Sequence, residues 1–234
     1  MKLSIIIPVY NEQNTILEIL KRVENVVLPI SKEIIIVDDC STDGTRDLLK
    51  AAITKHTVIW QKRNQGKGAA LQTGLGRATG DYVVFQDADL EYDPTDLGVL
   101  LQPILTNQAA VVIGSRSLEN NSASRIKWRH PHPLTYIGNL LIVWLIKVLY
   151  QRKGNDFFAC YKIMPRRLLE DLKVEARDFS YDIELLCKLF RKNIVITTAP
   201  IHYNPRTFAE GKKITYSDGL KALWAIGKWR FKKI

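Results

Sequence analysis

The sequence predicts an α/β fold: one domain with a mostly parallel, Rossmann-like central sheet flanked by helices. Three observations carry the prediction. Short apolar runs alternate with helical periodicity through the first half of the chain. Each run ends abruptly in polar residues: Tyr10 and Glu12, then Asp38 and Asp39, then Asp87 and Asp89. Right-handed crossovers between parallel strands bring such ends to one edge, and open sheets of this kind bind ligands outside the carboxyl ends of their strands.

Leu3–Pro8 is the first strand, followed by a helix with Ile16, Ile19, Leu20, Val23, Val26 and Val27 at helical spacing and Asn11 or Asn14 as its cap. Glu33–Val37 is the second, and Ser41-Thr42-Asp43-Gly44 supplies turn and cap chemistry for a helix carrying Leu48, Leu49, Ala52 and Ile53. Thr57–Trp60 is a third strand. The loop Arg63-Asn64-Gln65-Gly66-Lys67-Gly68 feeds a helix of small residues from Ala69 to Ala78. The fourth strand is the run of Val83, Val84 and Phe85, which delivers Asp87-Ala88-Asp89-Leu90-Glu91; a helix from about Pro94 and a strand Ala110–Gly114 ending in Ser115-Arg116 follow.

The chain has 234 residues, 46% hydrophobic and 25% charged, ordinary for a globular protein, and a formal net charge of +10. That excess points to an anionic partner: nucleic acid, an acidic membrane surface or a phosphorylated substrate. The acids at the sheet edge and the lack of a base-stacking or groove-reading motif exclude nucleic acid. Cys40, Cys160 and Cys187 are odd in number and far apart, which fits a reducing compartment and neither a disulfide framework nor a zinc site. The N-terminus enters a strand too short for a signal peptide's core, and no apolar stretch reaches the ~18–20 residues of a membrane span. The expected location is cytoplasmic, peripheral on the cytoplasmic face of a membrane.

The ordered motifs Pro8-Val9-Tyr10-Asn11-Glu12, Val37-Asp38-Asp39 with Ser41, Asp43, Gly44 and Thr45, Asp87-Ala88-Asp89, and Gly114-Ser115-Arg116 resemble those of family 2 glycosyltransferases of GT-A fold. The similarity is nearest the dolichyl- or polyprenyl-phosphate mannose or glucose synthase branch. Phe179–Leu186, Pro200-Ile201-His202-Tyr203-Asn204-Pro205-Arg206 and Gly211-Lys212-Lys213 are similar to later signatures of that branch, so the resemblance covers almost the whole chain. It implies a catalytic domain over 1–215 and a basic amphipathic helix over 216–234.

The resemblance implies that Pro8, Tyr10, Glu12, Val37 and Asp39 line the nucleoside pocket of a nucleotide-diphosphate sugar, GDP-mannose or UDP-glucose. Tyr10 stacks on the base or ribose, Glu12 and Asp39 accept hydrogen bonds, and Val37 contributes backbone contacts. Asp38 reads equally as a ligand contact and as a strand-end carboxylate. The loop with Lys67 lines the donor phosphates or is a plain helix entry. Asp87 and Asp89, with Ala88 between them, hold Mg2+ or Mn2+ against the diphosphate. Glu91 stands where the branch commonly has Gln, and as a harder ligand it is expected to join the metal set. Arg116 pairs with a phosphate or forms a surface salt bridge. For Asp182 and Glu184, in a helix capped by Ser180, three readings stand: catalytic base, sugar-hydroxyl anchor, or acids favoured by the helix dipole. Arg206, Lys212 and Lys213 form a basic flap over the donor phosphates or a solvated charge run. His130-Pro131-His132 reads as a proline-rich loop.

The expected activity is inverting, metal-dependent transfer of a hexose to a polyprenyl phosphate. A sugar or protein hydroxyl is the alternative acceptor, and a non-catalytic binding module the alternative class. Leu134–Tyr150, apolar on every face, and the helix from Asp218, which sets Leu220, Leu223, Trp224 and Phe231 against Lys221, Lys228, Arg230, Lys232 and Lys233, point to a membrane surface. An integral-membrane partner is a further possibility, and a core-packed terminal helix is the competing reading of the last segment.

Overall fold

Strand β1 (Lys2–Val9) has Leu3, Ile5, Ile6 and Ile7 wholly buried, so both of its faces are apolar and it must lie inside a sheet covered on both sides. This computed structural model describes residues 1–52, 55–116, 133–152, 154, 156–206 and 216–233, with backbone alone at 133–137 and 216. The other strands are β2 (Ser31–Asp38), β3 (Thr57–Trp60), β4 (Tyr82–Phe85), β5 (Val111–Ser115), β6 (Lys162–Pro165) and β7 (Ile196–Pro200). They form one seven-stranded sheet in the order β3-β2-β1-β4-β6-β5-β7. All run parallel except β6, which opposes both β4 and β5.

Helices α1 (Ile16–Asn25), α2 (Thr45–Ala52), α3 (Lys67–Leu75) and α4 (Asp96–Leu105) follow β1 to β4, as the alternation predicts. α1 buries Ile16, Ile19, Leu20 and Val23. Neither Asn11 nor Asn14 caps it: Thr15 stands at its start and directs its hydroxyl back to Glu12 instead. Asp43 opens α2 by accepting the Thr45 amide at 3.0 Å. α3 lies so close to β1 that a Cβ on Gly74 would stand 2.4 Å from Ile6 Cγ2.

Chain order takes the sheet from β1 outward to β2 and β3, then back across to β4 on the other side of β1. The crevice between the carboxyl ends of β1 and β4 is therefore a switch point, where such sheets bind ligands. The reversed β6, which the sequence reading does not contain, puts its first residue, Lys162, at that same edge.

The second half adds α5 (Pro133–Tyr150), α6 (Arg166–Leu172), α7 (Tyr181–Arg191) and α8 (Tyr216–Phe231). α8 packs on α5 and α7 through Ala222, Ala225, Ile226 and Trp229, and Tyr150 donates a 2.8 Å bond to the Ile226 carbonyl. Its other face exposes Leu220, Trp224 and Phe231, as α5 exposes Leu140, Leu141, Trp144 and Val148. Among the described residues no helix is long and apolar enough to cross a membrane.

Candidate active site

The turns after β1, β2 and β4 each contain a residue other than glycine in left-handed backbone: Asn11 (φ 51), Cys40 (φ 64) and Leu90 (φ 62). Such conformations cost of order 1 kcal/mol each and persist only where surroundings impose them. For the turns after β1 and β2 the surroundings are one another, and the turn after β4 is held by Asn204 and Arg206. The Asn11 amide donates to Ser41 Oγ at 2.9 Å, and Asn11 Oδ1 accepts the Thr42 amide at 2.7 Å.

Within this frame Pro8 and Tyr10 are half-buried at the end of β1. Val37 has a wholly buried side chain, and its backbone lies at the end of β2 in register with Pro8 and Ile59. Asp38 is also wholly buried and ion-pairs with Arg46, whose Nη2 donates to the Gln61 carbonyl, so its carboxylate ties β2 to α2 and β3. Asp39 accepts the Gln65 and Gly66 amides at 2.8 and 2.7 Å. Burial raises its pKa, and those amides oppose the rise.

The loop after β3 has glycines for a different reason from a phosphate cradle. A Cβ on Gly68 would stand 2.5 Å from the Ala176 carbonyl, and the Ala69 amide already donates to the Arg177 carbonyl at 3.0 Å. Backbone 176–178 therefore covers the start of α3, and only Lys67 leaves it for the crevice.

Lys67 Nζ lies 2.6 Å from Asp87 and 3.8 Å from Asp182. Burial opposes its charge, yet Asp87, Cys160 and Asp182 outweigh that and keep it firmly protonated. Arg206 enters from the opposite side. Its guanidinium contacts Glu12 at 3.1 and 3.3 Å, Asp89 at 3.3 Å and Glu91 at 3.8 Å. Burial first, then Asp87 and Glu91, push the Asp89 carboxyl up to about 7 despite this partner. The Nε of Arg206 is buried without a hydrogen-bond partner.

The expected metal trio is thus divided: Asp87 faces Lys67, while Asp89 and Glu91 face Arg206. Among the described residues no three ligating side chains gather about one point. The residues nevertheless suit a hard divalent ion. Glu12, Asp87, Asp89 and Glu91 set four carboxylates against two cations, all-oxygen donors with negative charge in excess, and an orphaned nitrogen marks the guanidinium as an imperfect occupant. Cavities of about 390 and 380 Å³ lie elsewhere, beside α8.

Asp182 sits at the first turn of α7, with Lys162 Nζ at 2.8 Å on one oxygen and Lys67 beyond the other. Lys162 is wholly buried and also donates to the Ala159 carbonyl at 2.6 Å. Burial works against the Asp182 charge, but Lys162 and then Lys67 lower its pKa. An acid held ionised between two ammonium groups is a poor proton acceptor. Glu184 lies outside the crevice: it accepts the Glu175 and Ala176 amides at 2.7 and 2.9 Å and pairs with Lys188 at 2.7 Å. Ser180 does not cap α7 with its side chain; its hydroxyl donates to Asp178.

Arg116 forms a bidentate pair with buried Asp156 at 2.9 and 2.7 Å, and its guanidinium stacks 4.8 Å from the Tyr203 ring. It is neither exposed nor a surface pair. The segment after β7 is stitched alongside: the His202 amide and Nδ1 meet Asp96 at 2.7 Å, and the Asn204 and Arg206 amides donate to the Glu91 carbonyl and Oε1 at 2.9 Å. That stitching aims Arg206 into the crevice. Lys162 and Asp156 were missed from sequence; a lone lysine opening the apolar run Ile163-Met164 is the signal that marks the first. Lys212 and Lys213, Gly211, and His130-Pro131-His132 lie outside the described residues.

Sheet order, switch-point crevice and acid-rich turns together define the GT-A class of nucleotide-sugar folds. Residues 4–172 match the model of Glycosyl transferase family 2, and the chain belongs to that family. It is 27% identical over 235 residues to the dolichol-phosphate mannosyltransferase of Pyrococcus furiosus, covering 98% of this chain and 64% of that protein. It is 28% identical over 226 residues to the undecaprenyl-phosphate 4-deoxy-4-formamido-L-arabinose transferase of Salmonella choleraesuis, covering 90% and 62%. The chain thus spans less than two thirds of the length of these curated relatives. Glucosyl-3-phosphoglycerate synthase from Mycobacterium tuberculosis, solved with Mn2+, UDP and phosphoglyceric acid, shares the fold with a TM-score of 0.75 at 20% identity, over 100% of this chain and 80% of that one. The same enzyme with Mg2+ and UDP gives 0.73 at 20% identity, over 100% and 80%.

Proposed function

We propose that this chain transfers a hexose from a nucleotide-diphosphate sugar, GDP-mannose or UDP-glucose, to a polyprenyl phosphate with inversion. The nucleoside lies against Pro8, Tyr10, Glu12 and Asp39, and the diphosphate lies over Asp87, Ala88 and Asp89 toward Lys67 and Arg206. A divalent ion, Mg2+ or Mn2+, held by Asp87, Asp89 and Glu91 supplies charge neutralisation for the departing diphosphate. Lys67 and Arg206 add fixed positive charge on the same leaving group. We also assign Lys213, outside the described residues, to the donor phosphates.

The observation that carries the acceptor class is the state of Asp182. A hydroxyl acceptor must lose its proton during attack and needs a base. Asp182 is clamped by Lys162 and Lys67, and Glu184 is consumed by backbone amides and Lys188. A phosphate acceptor is already an anion and needs positioning alone. Its oxygen attacks the anomeric carbon, the bond to the diphosphate oxygen breaks on the opposite face, and the electron pair leaves with the nucleoside diphosphate. We assign Arg116 to the acceptor phosphate, which would have to compete with Asp156 for its fork.

The exposed apolar faces of α5 and α8 support a peripheral seat on the cytoplasmic face of a membrane, alone or with an integral-membrane partner. The test is transfer of radiolabel from GDP-mannose and UDP-glucose into solvent-extractable polyprenyl phosphate, with and without Mn2+. Metal-dependent, acid-labile labelled lipid is expected. Donor hydrolysis without labelled lipid refutes the acceptor; no turnover of either donor refutes both donors.

A further inference from the structure

Asp87 and Asp89 each face a cation already, and the two cations are held very differently. Lys67 touches Asp87 at 2.6 Å, is backed by Asp182, and sits on α3, whose start is pinned by Asp39 and residues 176–178. Arg206 reaches three carboxylates, but at 3.1–3.8 Å, with its Nε buried and unpartnered. A guanidinium is a planar fork suited to one bidentate partner. Arg206 forks onto Glu12 alone, through Nη1 and Nη2, and holds Asp89 and Glu91 only by single contacts at 3.3 and 3.8 Å, so it is the cheaper of the two cations to dislodge from the expected metal ligands.

We infer that Arg206 is a resident stand-in for the divalent ion, bridging Glu12, Asp89 and Glu91 until a diphosphate draws it away. The inference rests on the proposed reading of Asp87, Asp89 and Glu91 as the ion's ligands. Ion and guanidinium compete for the same oxygens, so without nucleotide the ion binds weakly. The diphosphate offers Arg206 a more highly charged bidentate partner than Glu12, and its departure frees Asp89 and Glu91. The backbone need not move: the Asn204 and Arg206 amides stay bonded to the Glu91 carbonyl and Oε1, and the Tyr203 hydroxyl, which bonds the same carboxylate, keeps it in place. Arg206 is thereby a positioning residue that couples ion entry to donor entry, so that the leaving-group site assembles only with a donor to use it.

The experiment titrates Mn2+ into the full chain, followed by the electron-spin resonance of the free ion, for wild type, Arg206→Gln, Arg206→Lys and Asp89→Asn, with and without UDP or GDP. Without nucleotide, Arg206→Gln is expected to bind Mn2+ at least about tenfold more tightly than wild type. Arg206→Lys, charged but unable to fork between Glu12 and Asp89, should fall between them, and carries the test alone if the Gln variant does not fold. With nucleotide, wild type should close the gap. Equal or weaker nucleotide-free binding in the Arg206 variants overturns the stand-in if Asp89→Asn still removes wild-type binding. No binding by wild type even with nucleotide overturns the metal reading itself, and the inference with it.

Discussion

At the scale of single residues, the decisive contacts are those that fix a charge. Lys162 is wholly buried, so its positive charge depends on Asp182 and the Ala159 carbonyl for compensation. Asp182→Asn should therefore destabilise the protein by about 3 kcal/mol, because a buried cation is left without its counter-ion. Denaturant melts measure this. In the transfer assay the variant should raise KM for the donor, through the loosened Lys67, while the pH profile of kcat keeps its shape; loss of an acidic limb would instead mark Asp182 as a base. Asp89→Asn should lower kcat by at least about 10²–10³-fold with the melt little changed, as expected for a residue serving charge at the leaving group. At the opposite edge of the sheet Glu33 carries a pH signature. Burial disfavours its charge, but Lys2, Ser4 and Thr79 overcome this and bring it from 4.5 to about 2. A carboxyl with a depressed folded pKa stabilises the fold fully above its unfolded value and loses that contribution as pH falls through its folded one. The wild-type melting temperature should accordingly drop between about pH 4.5 and pH 2, and the Glu33→Gln variant, less stable at pH 7, should show a flatter profile there. Much of this scale was legible: Glu12, Asp87, Asp89, Glu91 and Arg206 do share one crevice. What was not legible is pairing. Asp38 and Asp39 look alike in sequence, yet one meets Arg46 and the other two backbone amides, because partners remote in the chain decide where each carboxylate turns.

At the scale of elements, close approach explains more than capping does. Gly68 permits backbone 176–178 to lie against the start of α3; Gly98, in α4, has nothing within 4 Å of where its Cβ would be. The two make a matched pair. Gly68→Ala should cost about 1–3 kcal/mol by forcing the two backbones apart, and should weaken donor binding by tilting Lys67. Gly98→Ala should add about 0.5–1 kcal/mol by helix propensity alone. Urea titrations compare them directly, and equal effects would refute the packing account. The same logic tells which elements the sequence could announce. β1 to β5 are short apolar runs between turns, and their alternation with helices carries their type and direction. β6 is four residues long, opens on a buried lysine and runs against its neighbours; its pairing is non-local and leaves no period to read. The cap expected on α7 failed for a related reason, as Ser180 turns its hydroxyl to Asp178 rather than to the helix, and at α1 Thr15 stands where Asn11 or Asn14 was expected and turns its hydroxyl to Glu12.

At the scale of the whole molecule, the question is how much of the +10 charge is free to meet a membrane. Less is free than the sequence suggests. Lys221 pairs with Asp178 at 3.2 Å and Lys232 with Glu175 at 2.7 Å, while Lys188 and Lys228 lie 4.1 and 4.9 Å from the Trp229 ring. Lys221, Lys232 and Lys188 are thereby spent in holding α8 to the body, whereas Lys228 contacts a ring of its own helix. What α8 and α5 leave outward is apolar, including Trp144 at 57% exposure and Trp224 at 66%. Apolar burial should thus outweigh electrostatics in any attachment, each tryptophan contributing roughly tenfold in affinity. Sedimentation with vesicles tests this. Trp144→Ser with Trp224→Ser should lower binding about 100-fold to neutral vesicles. Raising salt from 0.05 to 0.5 M should weaken binding to acidic vesicles only a few-fold, since Lys221 and Lys232 of α8 are already paired with Asp178 and Glu175. Transfer to a short, water-soluble polyprenyl phosphate should be unaffected by the two substitutions, because neither tryptophan reaches the crevice where Asp87 and Asp89 lie. Steep salt dependence with little effect of the tryptophans would reverse the order of the two forces and assign the attachment to charge.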